Sequence, residues 1–192
     1  MPRTLSTGRV SRSPLNFSSL LCNGNLPTSA VSGSNLGISG SSPFTIAAWG
    51  YLSSITGTQT LVAIGDAAGS NTGVIIQSTS NVWQVLIQGS GTVPAPAPII
   101  QVNQFHEVVV TYAGGSASVL IYVNGVVVNG SGSITMNLTN ATVKMGRNYS
   151  STSPLFGGLS DVRVWNIALT ANQIATMYQT RVVPTTGLVR RY

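Results

Sequence analysis

Residues 156–174 read Phe156-Gly-Gly-Leu-Ser-Asp-Val-Arg-Val-Trp-Asn-Ile-Ala-Leu-Thr-Ala-Asn-Gln-Ile174, and two periodicities meet inside them. Asp161–Asn166 alternates apolar and polar, the period of a strand. Thr170-Ala-Asn-Gln173 then supplies a hydroxyl at a cap and a Gln three residues on, the pattern of a capping box. Ile174, Met177 and Tyr178 follow at helical spacing. The stretch predicts a strand, a short link and one short helix that plugs an end of a larger β structure.

Working outward, strand patterns and turn signals fill the rest of the chain. His106–Tyr112 is strand-like, Gly114-Gly115 turns the chain, and Ser118–Val123 returns it. Asn124-Gly125 between Leu-Ile-Tyr-Val and Val-Val-Val predicts a type I′ hairpin, which needs positive φ twice. Phe44–Tyr51, Thr60–Ile64, Val74–Gln77, Val82–Gln88 and Thr142–Gly146 read as further strands. Three prolines in Thr92–Pro98 confine that run to an edge or an extended loop. Residues 13–42 are an irregular lead-in or hold a first strand around Leu15–Leu20. Turns at intervals of roughly 8–12 residues point to a sandwich or barrel. No internal repeat and no second domain is visible.

Composition narrows the function classes. The 192 residues carry 9 Lys or Arg, 3 Asp or Glu and a single His, against 25 Ser, 20 Thr and 14 Asn. That mixture, 43% apolar and 6% charged, is neither a disordered chain nor a coiled coil. No apolar run approaches the roughly 18 residues of a membrane span. Arg-rich residues 1–12 have no apolar stretch behind them, so no signal peptide is expected. Cys22 is the one cysteine, which excludes an internal disulfide. The charge is uneven: Arg3, Arg9 and Arg12 lie at one end, and Arg181, Arg190 and Arg191 at the other. Between them Lys144, Arg147 and Arg163 balance Asp66, Glu107 and Asp161. Two readings of the basic ends stay open: arms that dock on an acidic partner, or charge that keeps a neutral body soluble. With no interior basic patch, nucleic acid is not an expected partner.

Three segments together resemble the concanavalin A-like lectin/glucanase superfamily, in its laminin-G-like and pentraxin-like branch. Phe44-Thr-Ile-Ala-Ala-Trp-Gly-Tyr51 resembles its F-T-x-x-x-W strand. Gln104–Tyr112 with Leu120-Ile-Tyr-Val-Asn-Gly-Val126 resembles W-H-x-V-A-x-T-Y … L-Y-V-D-G. Phe156–Ile174 resembles F-x-G-x-I-D-D-V-R-I-W-N-x-A-L-S-x-x-E-I. The resemblance implies an all-β, two-sheet antiparallel jelly roll over residues 36–180, with one short C-terminal helix. A basic lead-in (1–35) and a basic tail (181–192) would flank it. Phe44, Trp49, Trp83, Tyr122, Asp161, Arg163 and Trp165 are then expected in the fold core. Phe105 replaces the usual Trp, and Asn124, Ser160 and Gln173 stand where acids are common.

Chemistry has few residues to work with. Glycoside hydrolysis usually needs two carboxylates flanking the bond, and the three here are far apart in sequence, so no catalytic residue is expected. One carboxylate with carbonyls makes a poor calcium site; Asp66 with Asn71 is the only start for one. One His and one Cys do not make an ordinary zinc site. No cofactor is expected. A glycan needs an exposed ring with hydrogen-bonding neighbours; Tyr149, flanked by Asn148 and Arg147 in a predicted loop, is the candidate. Sequons at Asn137, Asn140 and Asn148 are read as composition.

Two functions follow as expectations. The first is a non-catalytic virion protein, decorating the outer surface of a capsid as a homo-oligomer. It would dock on the major capsid protein or another virion protein through its basic arms. The alternative is a carbohydrate-binding lectin or adhesion module.

Overall fold

The structure, a computed structural model, describes residues 20–23, 36–66, 68–139, 142–150 and 152–192. The expected N-terminal arm, with Arg3, Arg9 and Arg12, lies outside the described residues. In chain order the elements are β1 (Leu20–Asn23), β2 (Phe44–Leu52), β3 (Gln59–Gly65), β4 (Gly73–Thr79), β5 (Val82–Ile87), β6 (Gly91–Ala95), β7 (His106–Tyr112), β8 (Ser116–Ala117), β9 (Val119–Val123), β10 (Val126–Gly130), β11 (Ile134–Thr135), β12 (Val143–Met145), β13 (Phe156–Trp165), α1 (Ala171–Thr180) and β14 (Leu188–Arg191). No helix among the described residues is long and apolar enough to cross a membrane.

Two large antiparallel sheets result. One runs β1-β13-β2-β7-β9-β10, and the other β12-β3-β4-β5-β6. Strand alternation sends one face of each into a shared core. Phe44, Ile46 and Ala48 of β2 and Val108, Val110 and Tyr112 of β7 meet Val62, Ile64, Ile76, Trp83 and Val85 of the opposite sheet. This is a jelly-roll sandwich. β6 is an edge strand, as Pro94 within it requires. Asn124 and Gly125 adopt φ of 52° and 82° in the β9–β10 turn. The second position also needs to be bare, because a Cβ on Gly125 would come within 2.9 Å of the Tyr178 side chain.

The outer face of the seven-stranded sheet is apolar too, where α1 covers it. Ala47, Val109, Tyr122 and Trp165 pack there against Leu169, Ile174 and Met177. The helix begins as the sequence predicts: the Thr170 hydroxyl accepts from the Gln173 N–H, and the Gln173 side chain accepts from the Thr170 N–H. It ends at Arg181, whose φ of 64° turns the chain back over the sheet.

Both ends join the seven-stranded sheet. Within the lead-in, where a first strand around Leu15–Leu20 is one of the two expectations, Leu20–Asn23 pairs with Phe156–Leu159 of β13. At the other end residues 181–192 are not a free tail. β14 pairs with Arg163–Trp165, the second half of the same β13 edge. Leu188 and Val189 pack on buried apolar residues, and the Trp165 indole N–H donates to the Pro184 carbonyl at 2.8 Å. Those contacts outweigh the polarity of the short C-terminal run.

Candidate functional site

The residues expected to touch a ligand prove to be tied down. The Tyr149 ring is not open. Its hydroxyl is shared between the carbonyls of Ile64 and Val74, 3.0 Å from the latter. Burial pushes that phenol above its usual range. The Asn148 side chain closes a loop with Thr152 through bonds of 2.8 and 2.9 Å, and Arg147 is half-buried beside it. Asp66 and Asn71 act as loop ties. The Asp66 carboxylate accepts from the Ala68 N–H at 3.0 Å and from the Thr139 hydroxyl at 2.7 Å. The Ala68 bond, the largest cause, helps hold its pKa below the ordinary value. The Asn71 amide donates to the Thr135 carbonyl at 3.0 Å. Among the described residues no three His, Cys, Asp or Glu side chains come together to hold a metal.

The two other carboxylates, 54 positions apart in sequence, meet on the outer sheet face, where β2 runs between β7 and β13. Asp161 sits with φ of 50° at a register shift in β13, between Ser160 and Arg163. It takes a two-pronged contact from Arg163 and a second from Arg191, at 2.8 Å from its Nε and 3.3 Å from its Nη2. Glu107 accepts from the Trp49 indole N–H at 3.1 Å and lies 3.7 Å from Arg163 Nη1. Arg181 caps the group, its guanidinium 3.9 Å from the centroid of Trp49, on which Tyr178 also stacks at 5.8 Å. Of the C-terminal arginines expected to dock a partner, Arg181 and Arg191 are therefore held by this cluster, and Arg190 sits exposed on β14.

Burial raises the Glu107 carboxyl to about 7 despite the nearby cations. Such a value can mark a catalytic acid. Here Glu107 is 0% and Asp161 4% exposed, so neither reaches a substrate in this arrangement. The cluster fastens α1 and β14 to the sheet. Phe44, Trp49, Trp83, Tyr122, Asp161, Arg163 and Trp165 are all buried. His106 is buried against Trp83, and desolvation lowers its pKa.

The rings that do reach the surface are others. Tyr51 continues the outward-facing positions Thr45, Ala47 and Trp49 of β2. Across the register it faces Gly158 of β13. A Cβ there would come within 2.3 Å of the Tyr51 ring, so the glycine is what lets the ring lie flat on the strand. Phe105 meets Tyr51 edge-on, with centroids 4.8 Å apart and planes at 71°. Phe156, two residues before Gly158 and 41% exposed, extends the same surface. Ser53, Asn103 and Gln104 are exposed around it. Ser53 and Asn103 are fixed by backbone bonds to Phe156 and Leu52, at 2.8 and 2.7 Å. Two ring planes at a corner, rimmed by uncharged hydrogen-bonding groups, can take a flat C–H face and its hydroxyls together. Strand parity with Trp49 and the Gly157-Gly158 pair opposite were the signals for this patch in the sequence.

A concavity of about 310 Å³ lies between the edges of the two sheets, lined by Ser90, Thr92, Pro94, Asn129, Ser131 and Ile134 among others. It has no aromatic ring, and the Asn129 amide already bonds the Pro94 carbonyl across it at 2.7 Å.

Known proteins share this framework. No curated protein matches the sequence. A candidate carbohydrate-binding protein from Bacteroides ovatus superposes with a TM-score of 0.61 at 21% identity, over 84% of this chain and 47% of its own. This chain therefore spans about half of that relative. Domain 4 of a GH43 extracellular arabinanase from Geobacillus stearothermophilus, in complex with arabinotriose, gives 0.65 at 18% identity, over 84% and 76%. The CBM40 of the Ruminococcus gnavus IT-sialidase, bound to α2,3-sialyllactose, gives 0.60 at 14% identity, over 72% and 83%. At these identities the likeness is one of fold. The family model for the concanavalin A-like lectin/glucanases superfamily matches residues 23–175, and with the two-sheet jelly roll and its closing strand and helix in place, the chain belongs to that superfamily.

Proposed function

We propose that this domain is a non-catalytic carbohydrate-binding module that takes its glycan on the outer face of the seven-stranded sheet, at Tyr51, Phe105 and Phe156. The observation that carries the reading is the corner of open rings, seated by Gly158, on a fold whose solved relatives include proteins holding arabinotriose and sialyllactose. The lack of an accessible carboxylate pair favours binding over hydrolysis. The relatives favour this alternative over the capsid-decoration reading. That reading rested on two basic arms, and most of the C-terminal arm is engaged within the domain.

The test is retention of the purified chain on a glycan array. Retention of the parent chain, lost in Phe156→Ala with the fold intact by circular dichroism, is the expected result. A parent chain that binds no glycan, or a variant that binds as well as the parent, sinks the proposal.

A further inference from the structure

Resting on that glycan-binding reading, we infer that the ligand is an uncharged saccharide, held by ring stacking and hydrogen bonds with no metal bridge. The argument is one of commitment. The chain has three carboxylates to offer a cation. Glu107 and Asp161 are buried, and the Asp66 carboxylate already accepts from the Ala68 N–H and the Thr139 hydroxyl. That leaves one partly engaged carboxylate, a poor holder of a calcium ion between protein and sugar.

Four of the described cations are committed as well, and Arg190 sits exposed on β14 beside Val164, at the other end of β13 from Phe156. An acidic sugar is ordinarily met by Arg in a two-pronged bond. Arg163 and Arg191 give theirs to Asp161. Arg181, on the same sheet face as the patch, lies on Trp49 and offsets the charge of Glu107. The Lys144 ammonium donates to the Tyr149 carbonyl. What the patch presents is Tyr51, Phe105 and Phe156 with the exposed side chains of Ser53, Asn103 and Gln104. These are apolar planes and neutral hydrogen-bonding groups. They match a sugar ring with an open C–H face and free hydroxyls, of the kind found in neutral arabino-, gluco- or galacto-oligosaccharides. They offer no positive charge to a carboxylate or a sulfate.

The experiment uses the full chain and a panel of neutral oligosaccharides beside sialylated and sulfated counterparts of the same backbones. Each is titrated by calorimetry in calcium chloride and in EDTA, and at low and high sodium chloride. Binding to at least one neutral member is expected, with less than about a twofold change on chelation or on raising salt tenfold, since uncharged contacts are little screened. Phe156→Ala should weaken it about tenfold, as loss of an aromatic anchor does. Binding confined to acidic members, loss of binding in EDTA, or a steep fall with salt overturns the inference and leaves the glycan-binding reading standing. The salt arm also detects any part played by Arg3, Arg9 or Arg12. Failure to bind any member overturns both.

Discussion

Replacing Glu107 by Gln tests the charge cluster beneath α1. In the folded chain burial raises this carboxyl to about 7, from an ordinary 4.5. The folded state therefore holds a proton that the unfolded chain releases. The stability contributed by the protonated form is complete below pH 4.5 and is lost as pH rises to about 7. At ~1.4 kcal/mol per pH unit, that loss amounts to about 3 kcal/mol across the window. Arg163, Arg181 and the Trp49 N–H already reduce the cost of ionising Glu107, so it is a net figure. A Gln can keep the Trp49 bond and does not titrate. His106 titrates nearby with the opposite sign. Its lowered pKa makes stability complete above 6.5 and lost as pH falls below it. It is present in both proteins and cancels in the difference. Urea unfolding of parent and Glu107→Gln at half-unit steps from pH 4.5 to 8.5 is the assay. Relative to the variant, the parent should lose about 3 kcal/mol over that range. A difference that stays flat, or rises with pH, refutes the account of Glu107 as a buried, partly compensated acid.

Three further outcomes are expected. Asp161→Ala leaves Arg163 buried without its main partner and should cost about 3–5 kcal/mol in urea unfolding. Arg191→Ala, whose side chain is 38% exposed, should cost only about 1 kcal/mol by the same assay. Thr170→Ala removes one arm of the capping box and should cost about 1 kcal/mol, with Gln173→Ala adding less in its presence than alone.

How much of this was legible depended on the range of the interactions. The β9–β10 hairpin and the start of α1 are set by neighbours within four residues, Asn124-Gly125 and Thr170 with Gln173, and local patterns reveal them. β14 is not visible that way. Leu188-Val-Arg-Arg is short and half charged, and only its partner in β13, more than 20 residues upstream, makes it a strand. Tyr149 differs from its expectation for a related reason. Its loop is visible in sequence, but the carbonyls of Ile64 and Val74 that capture its hydroxyl come from another sheet strand and its neighbour. Glu107 and Asp161 read as isolated acids until β2 brought β7 and β13 to either side of it. The open patch lay in plain residues. Tyr51 closes the strand Phe44–Tyr51, and its parity with Trp49 and the bare Gly158 opposite place it on the outer face.

Chemical-shift mapping tests the central claim most directly. A neutral oligosaccharide that the chain retains is titrated into isotopically labelled protein, and backbone amide shifts are followed. The account predicts that the largest changes fall on Ser53, Gln104, Phe105, Phe156 and Gly158, around the Tyr51 and Phe105 rings. Changes centred instead on Ser90, Thr92, Asn129 and Ser131, with those residues undisturbed, would move the binding site to the cleft between the sheet edges and contradict it.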